Sequence, residues 1–589
     1  MGTYVARSST PRAGRRGAAG ERPRRARVPW GVLAGAVGVA VWLLVDPRTP
    51  DLAGQVYRAN LFREAGFMVY DGSWYGGHDM PGYSLVFPPL AALVGVRAVG
   101  AAAVLASVAL FERVAGMVYG AGARWAAVWF AVAALGDVWS GRVTFALGVS
   151  VALGAVWALM RGHLVVAAML AGLCAACSPV AGVLLALAGL TYTLASDRPR
   201  IGRLRGVLVL GVPPAMVVLA LAGLFPEGGW EPYPLYSFLA TLAVVVGFLW
   251  ALPPGRRLLR VGAGVYLVAC VACVAVHTPM GANVERYGVL LAGPLLLCAL
   301  LDPRRDGRIE SPAGDVPVTS GGLSTGFGDP AGRGRSGWGA ANGRISVATV
   351  AVLIGIGVWT AWGPVRETRA VAGNASTSAS YYLPVERFVA NVEAPPAQPV
   401  RVEIPFTRGH WEAAWLAGKV SLARGWEKQL DERYDGVLLA KGLTAARYRR
   451  WLAAEAVRYV ALPDAPLDPS SAGEGTLIEG GLSYLREVRR TRHWRIYEVL
   501  GATPLATGPG VLSGMGHDWF ALRARAAGRF EVRVRYTRYW TVSRGAACVG
   551  RAPGGWTEVT ARGAGTVTVA ARFSVGRALG LGGGTCRGG

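Results

Sequence analysis

Between two apolar runs, residues 46–83 carry Asp51, Gln55, Tyr57, Arg58, Arg63, Glu64, Asp71, Trp74, Tyr75, His78 and Asp79. A carboxylate held at a bilayer surface can take the proton of a hydroxyl group presented to a lipid-linked donor, which is general-base chemistry. Asp51, just after the first apolar run, stands where such a base would be needed. It also fits a plainer part: Thr49-Pro50-Asp51 reads as a helix start, with Thr49 capping, Pro50 in the first position and Asp51 favoured by the helix dipole. A leaving phosphate needs its developing charge offset, and guanidinium groups supply that through paired N–H donors. Arg286, Arg142 and Arg58 are the candidates for that grip. Arg142 lies in the short turn Ser140-Gly141-Arg142, where its alternative use is to anchor a helix end.

Sugar recognition calls on other residue types, because indole faces stack on sugar C–H faces and carboxylates accept hydroxyl hydrogen bonds. Asp71, Trp74, His78 and Asp79 in the first loop, Glu227 and Trp230, Glu285 beside Arg286, and His410, Trp411 and Glu412 are the candidates for acceptor or sugar binding. Each also has a structural use. Trp230 fits an interfacial belt, Glu285 can pair with its neighbour Arg286, and His410 to Glu412 can pack against a membrane domain. Ser/His/Asp triads, phosphate loops and metal-ligand spacings are not evident, and the six His are isolated, so no metal site is expected.

The scaffold for these groups is apolar. The chain has 589 residues, 61 Lys+Arg against 36 Asp+Glu for a net charge of +25, 52% hydrophobic residues and only 16% charged. A soluble domain carries about 25% charged residues, so a simple soluble enzyme is excluded. Collagen is excluded too, since 82 Gly and 35 Pro follow no three-residue period. The basicity is explained by Arg flanking membrane spans rather than by nucleic acid. Apolar runs at 30–45, 84–118, 124–138, 143–161, 163–177, 179–196, 204–224, 236–252, 258–276, 286–301 and 344–362 predict eleven transmembrane helices. The second run is too long for one straight crossing, and Pro88-Pro89 is expected to break it.

Lys and Arg concentrate in cytoplasmic loops, and Arg161, the segment 197–203, Arg256-Arg257, Arg304-Arg305 and Arg344 share one side only if the second run crosses once. The expected order is a disordered basic cytoplasmic tail (1–29), a multi-span domain (30–301), a disordered cytoplasmic linker (302–343) and a last span (344–363). Loops 46–83, 225–235 and 277–286 then lie outside the cell membrane, as does everything after residue 363. Residues 364–500 alternate strand-like and helix-like patterns, as an α/β domain does. Residues 501–589 contain period-two runs at Phe530 to Tyr536 and Gly565 to Ala570 and read as a β-sandwich-like module. Of the seven Cys, Cys548 and Cys586 fall in this exported module, where a disulfide between them is expected. The other five lie in apolar runs and read as buried small residues.

The basic tail, the single span before Asp51, Phe87-Pro88-Pro89, the turn from Ser140 to Gly148 and Ser178-Pro179 opening a later span together resemble the multi-span C-type (GT-C) glycosyltransferases over about residues 30–301. The segment 364–500, with Val457-Arg458-Tyr459-Val460 as a strand, is similar to soluble domains attached to such enzymes in actinobacterial envelope biogenesis. The resemblance implies a polyprenyl-phosphate sugar donor, an envelope glycan or glycolipid acceptor, the lipid bilayer as host, and inversion at the anomeric centre. It also implies Asp51 as base or acceptor-orienting group, with Asp71 or Asp79 as second acids. The paired acids common in that family are missing at Asp51, whose neighbours are Pro50 and Leu52, which argues against a divalent metal; no cofactor is expected. The competing class is a transporter or an envelope-polysaccharide-binding scaffold without catalysis. Transporters usually show two matching halves and ionisable groups at the midplane, whereas the polar residues here gather at one face, Glu112-Arg113 excepted.

Overall fold

The computed structural model describes residues 29–196, 200–302 and 346–580. Apart from Pro29 and Asp302, the tail and linker expected at 1–29 and 302–343 lie outside these residues, as does Cys586. The helices of the first part are α1 (Trp30–Val45), α2 (Pro50–Ala65), α3 (Phe87–Val94), α4 (Val96–Tyr119), α5 (Ala123–Trp139), α6 (Val143–Met160), α7 (Leu164–Cys177) and α8 (Pro179–Ala195). They continue as α9 (Arg200–Gly206), α10 (Val212–Leu224), α11 (Leu235–Ala251), α12 (Arg257–Ala275), α13 (Glu285–Leu300) and α14 (Val347–Val371). A π-helical turn at Val207–Gly211 joins α9 to α10.

Among the described residues six helices are long and apolar enough to cross a membrane, and the bent pair α1–α2 would make a seventh. Leu164–Cys177, Pro179–Ala195 and Leu235–Ala251 are apolar but shorter. The chain is therefore a multi-pass membrane protein, but length and apolarity do not reach the eleven crossings read from sequence. A helix of 16 or 17 residues rises about 24–26 Å, short of a hydrocarbon core of about 30 Å.

Two local features depart from the sequence expectation. The second apolar run breaks at Gly95 (φ 93°) rather than at Pro88-Pro89. Both prolines sit in the first turn of α3, where the missing N–H groups have no intrahelical partner to lose. After α1 the backbone turns through left-handed Asp46, and α2 leaves at 81°. Thr49 occupies the cap position of α2 without capping it, its hydroxyl donating instead to the Trp139 carbonyl at 2.9 Å. The charge inside α4 also has a use: Glu112 Oε2 accepts from the Val32 N–H at 3.4 Å, covering the first turn of α1, which has no side-chain cap of its own.

The first loop forms a small antiparallel hairpin, β1 (Tyr70–Asp71) with β2 (His78–Asp79). Beyond α14 come α15 (Ala379–Val392), α16 (Glu412–Trp415) and α17 (Lys428–Tyr434), set on a sheet of β3 (Arg401–Glu403), β4 (Ser421–Leu422), β5 (Val457–Pro463), β6 (Leu485–Arg490) and β7 (Trp494–Val499). Its strand order is β4-β3-β5-β7-β6, with β3 parallel to both β4 and β5. The last part is a pair of four-stranded antiparallel sheets, β12-β15-β10-β9 and β13-β14-β11-β8. Their strands are β8 (Ala506–Thr507), β9 (Gly510–Met515), β10 (Trp519–Ala524), β11 (Gly528–Arg535), β12 (Trp540–Arg544), β13 (Ala547–Arg551), β14 (Trp556–Ala561) and β15 (Gly565–Ala571). Phe530, Val532 and Val534 alternate into the core between the sheets, as the period-two pattern requires.

Candidate functional site

Because α2 turns off α1, its first turn lies across the end of the helix bundle instead of continuing through it. Gly141 makes this approach feasible. It has φ +80°, and a Cβ there would stand 2.3 Å from the Leu52 backbone N, so only glycine lets the α5–α6 turn rest on the start of α2. The contact carries Arg142 to Asp51: Arg142 Nε donates to Asp51 Oδ2 at 3.1 Å, and Arg142 Nη2 donates to Glu367 Oε1 at 3.1 Å. Glu367 comes from the last turns of α14. Burial works against the Arg142 charge, but Glu367, Asp51 and Asp137 outweigh it and keep the guanidinium protonated.

Arg286, in the first turn of α13, is the second cation here. Its guanidinium lies 5.2 Å from the Phe145 ring centroid, and among the described residues it makes no ion pair within 4 Å. Arg142, Asp51, Tyr83 and Asp137 all act on it through space. Glu231, in the loop between α10 and α11, is pushed up to about 7 by burial, with Asp51 and Asp431 adding to the rise and Arg286 and Lys428 opposing it. Gln55, one turn along α2 from Asp51, donates to the Tyr83 hydroxyl at 2.6 Å and accepts from Thr144. Asp51 and Arg142 keep side-chain exposures of 33% and 27%. The arrangement is an open site with a reachable carboxylate and two guanidiniums, suited to an anion and a proton donor at once. Two turns along α2 a shallow apolar crevice, bounded by Arg58, Phe62, Phe67, Met68, Pro88 and Pro89, opens between α2 and α3.

No family model and no curated protein matches the chain. Among solved structures it is similar to ArnT from Cupriavidus metallidurans. The crystal structure bound to undecaprenyl phosphate aligns with TM-score 0.45 and 15% identity over 81% of this chain and 100% of that one. The apo crystal structure gives 0.43 and 15%, over 80% and 97%.

The other sequence-selected residues are held by partners of their own, Arg58 and Glu285 at the border of the site and the rest away from it. Arg58 is buried, ion-paired to Glu427 and stacked 3.9 Å over the Tyr83 ring, so it joins α2 to the C-terminal region. Asp71 is fully buried and accepts from Tyr57 Oη at 2.8 Å and from the Ser73 N–H at 3.1 Å, with His517 Nδ1 at 3.2 Å. Although burial opposes it, the His517 and Tyr57 hydrogen bonds and the His78 charge hold its carboxyl below the usual range. Trp74 is also fully buried, its Nε1 donating to the Ala413 carbonyl at 3.1 Å and its ring stacked on His78. Burial pushes His78 down, and Asp79, which accepts from Thr537 Oγ1 at 3.1 Å, is pushed up to about 6 by burial.

Burial, with the Glu427 and Asp79 charges adding to it, raises the Glu227 carboxyl well above the usual range. Trp230 lies against His277 with ring centroids 4.2 Å apart, and Glu285 accepts from Ser237 at 2.6 Å and Thr241 at 3.2 Å rather than from Arg286. His410 stacks on Trp426, Trp411 Nε1 donates to the Arg48 carbonyl at 2.9 Å, and Glu412 accepts from the Thr407 N–H at 3.0 Å. These three hold the α/β domain together and to the first loop. Among the described residues no three His, Cys, Asp or Glu side chains gather as metal ligands.

Of the candidates, then, Asp51, Arg142 and Arg286 share one site. Glu367, Asp137, Glu231 and Tyr83 also belong to it and were not singled out from sequence. The signal for Asp137 was a lone acid near the end of an apolar run, which is costly unless used. Glu367 offered only a charge beyond the last span.

Proposed function

We propose that the protein is a polyprenyl-phosphate-dependent membrane glycosyltransferase acting on an envelope glycan or glycolipid. The observation that supports this reading best is the half-exposed Asp51 joined to Arg142, with Arg286 beside them, at the end of a membrane helix bundle. Asp51 takes the proton of the acceptor hydroxyl as its oxygen attacks the anomeric carbon from the face opposite the phosphate. The bond between that carbon and the phosphate oxygen breaks, the polyprenyl phosphate leaves with the electron pair, and configuration inverts. Arg142 and Arg286 stabilise the charge gathering on the leaving group, which a guanidinium does better in a partly desolvated site. The apolar crevice beside α2 suits a lipid chain.

Asp51→Asn tests this. It keeps the size of the side chain and can still accept from Arg142, but it removes the base, whose loss costs about 10²- to 10⁴-fold in rate. Transfer from a polyprenyl-phosphate sugar by a folded Asp51→Asn protein at the wild-type rate would return Asp51 to the helix-start role and favour the non-catalytic binding reading.

A further inference from the structure

The β-sandwich does not stand clear of the membrane helices. Leu221 and Phe225, at the end of α10, belong to the same apolar core as Phe520, Tyr539 and Val569, and Val217 packs against it. The Tyr539 hydroxyl donates to the Leu224 carbonyl at 2.7 Å, and the Phe573 ring lies 6.3 Å from Phe225. At about 1.5 Å per residue, Val217 to Phe225 is about 12 Å of helix, so the sandwich lies alongside the final turns of a membrane-spanning segment.

At this junction the chain leaving β15 turns three large apolar side chains outward. Phe573, Val575 and Leu579 are 48%, 66% and 65% exposed. Met216 and Leu219, on the other faces of α10, are exposed as well, as lipid-facing side chains of a membrane-spanning segment are. Arg572 flanks the patch, sharing its exposed guanidinium with Asp518 at 3.2 Å. A water-facing edge has no use for this arrangement. A bilayer interface does: amphipathic segments bury their apolar side about 5–10 Å into the headgroup and acyl boundary, while Arg keeps its head among the phosphates.

We propose that residues 572–579 anchor the β-sandwich in the interfacial layer of the bilayer in which α10 ends, with Phe573, Val575 and Leu579 among the acyl chains and Arg572 at the headgroup phosphates. The anchor fixes the height of the C-terminal region over the membrane and is independent of the transferase reading. The test places a nitroxide side chain, introduced as an unnatural amino acid, at position 575 of the full-length protein in phosphatidylcholine–phosphatidylglycerol vesicles. Collision rates with oxygen and with a water-soluble nickel chelate are measured, with position 526, an exposed bend of the sandwich, and position 358, exposed on α14, as references. Val575 is exposed, so the label displaces no core contact. The expected result is a nickel rate at 575 several-fold below that at 526 and an oxygen rate close to that at 358. A nickel rate at 575 equal to that at 526 would overturn the anchor.

Discussion

Replacing Glu367 by Gln separates donor binding from chemistry. Arg142 now divides its hydrogen bonds between Asp51 and Glu367, each at 3.1 Å. A donor phosphate seated on Arg142 would lie roughly 6 Å from the Glu367 carboxylate, and at an effective dielectric of about 20 the repulsion is about 3 kcal/mol. Gln keeps the shape and still accepts from Nη2, so the lost orientation of Arg142 costs only about 1 kcal/mol, the net value of one hydrogen bond. Repulsion wins by about 1–2 kcal/mol, or roughly 5- to 30-fold in donor affinity. The assay is initial-rate transfer from radiolabelled polyprenyl-phosphate sugars by the purified protein in nanodiscs, with thermal unfolding of the variant followed in parallel. The expected outcome is a donor KM lower by that factor with kcat not reduced, because Asp51 is untouched and the leaving phosphate is relieved of the same repulsion. A KM that rises or stays constant in a normally folded variant would show that the donor phosphate does not sit on Arg142 beside Glu367.

Two further outcomes follow from the sequence and one from the structure. A periplasm-active reporter fused near residue 370 should be active and a cytoplasmic reporter there silent; the reverse pattern would invert the proposed orientation. Cys548 and Cys586 should resist thiol labelling in denaturant without reductant, and full labelling of both would refute their pairing. Burial raises the Asp79 carboxyl from 3.8 to about 6, so its contribution to stability is fully present below the ordinary value and is lost as pH rises through about 6. Asp79→Asn should therefore raise the melting temperature more at about pH 8 than at about pH 4, the gain appearing as the wild-type carboxyl ionises; an equal change at both values would remove burial as the cause.

Hydrophobic runs revealed where the helices lie because burial in lipid demands apolar side chains over a whole segment, whatever the tertiary contacts. They could not reveal the break at Gly95, since prolines in a helix's first turn and prolines that end a helix look alike in sequence. Asp51 and Arg142 were legible as candidates because both sit at the edges of apolar runs. That they meet depends on Gly141 resting against Leu52, a contact between segments about 90 residues apart. Arg58, Asp71, Trp74 and His78 had the composition of a sugar site but are walled in by residues far along the chain. Trp74 is the sharpest case: it packs so closely on Gly425 that a Cβ there would stand 2.5 Å from the indole. Nothing local to either residue announces that pairing.

The first loop's distant partners also bear on how the protein is made. Trp74 waits for Ala413, 339 residues later, Asp71 for His517 after 446, and the Tyr75 carbonyl for Arg535 after 460. At a synthesis rate of about 5–20 residues per second, that is an interval of roughly 15–90 s. Throughout it, a hairpin rich in aromatic side chains and an unpaired Arg58 stand exposed on a nascent membrane protein. Segments from α16 to β11 thus complete a loop made long before them, so a ribosome stalled before β11 leaves the Tyr75 carbonyl without its Arg535 partner.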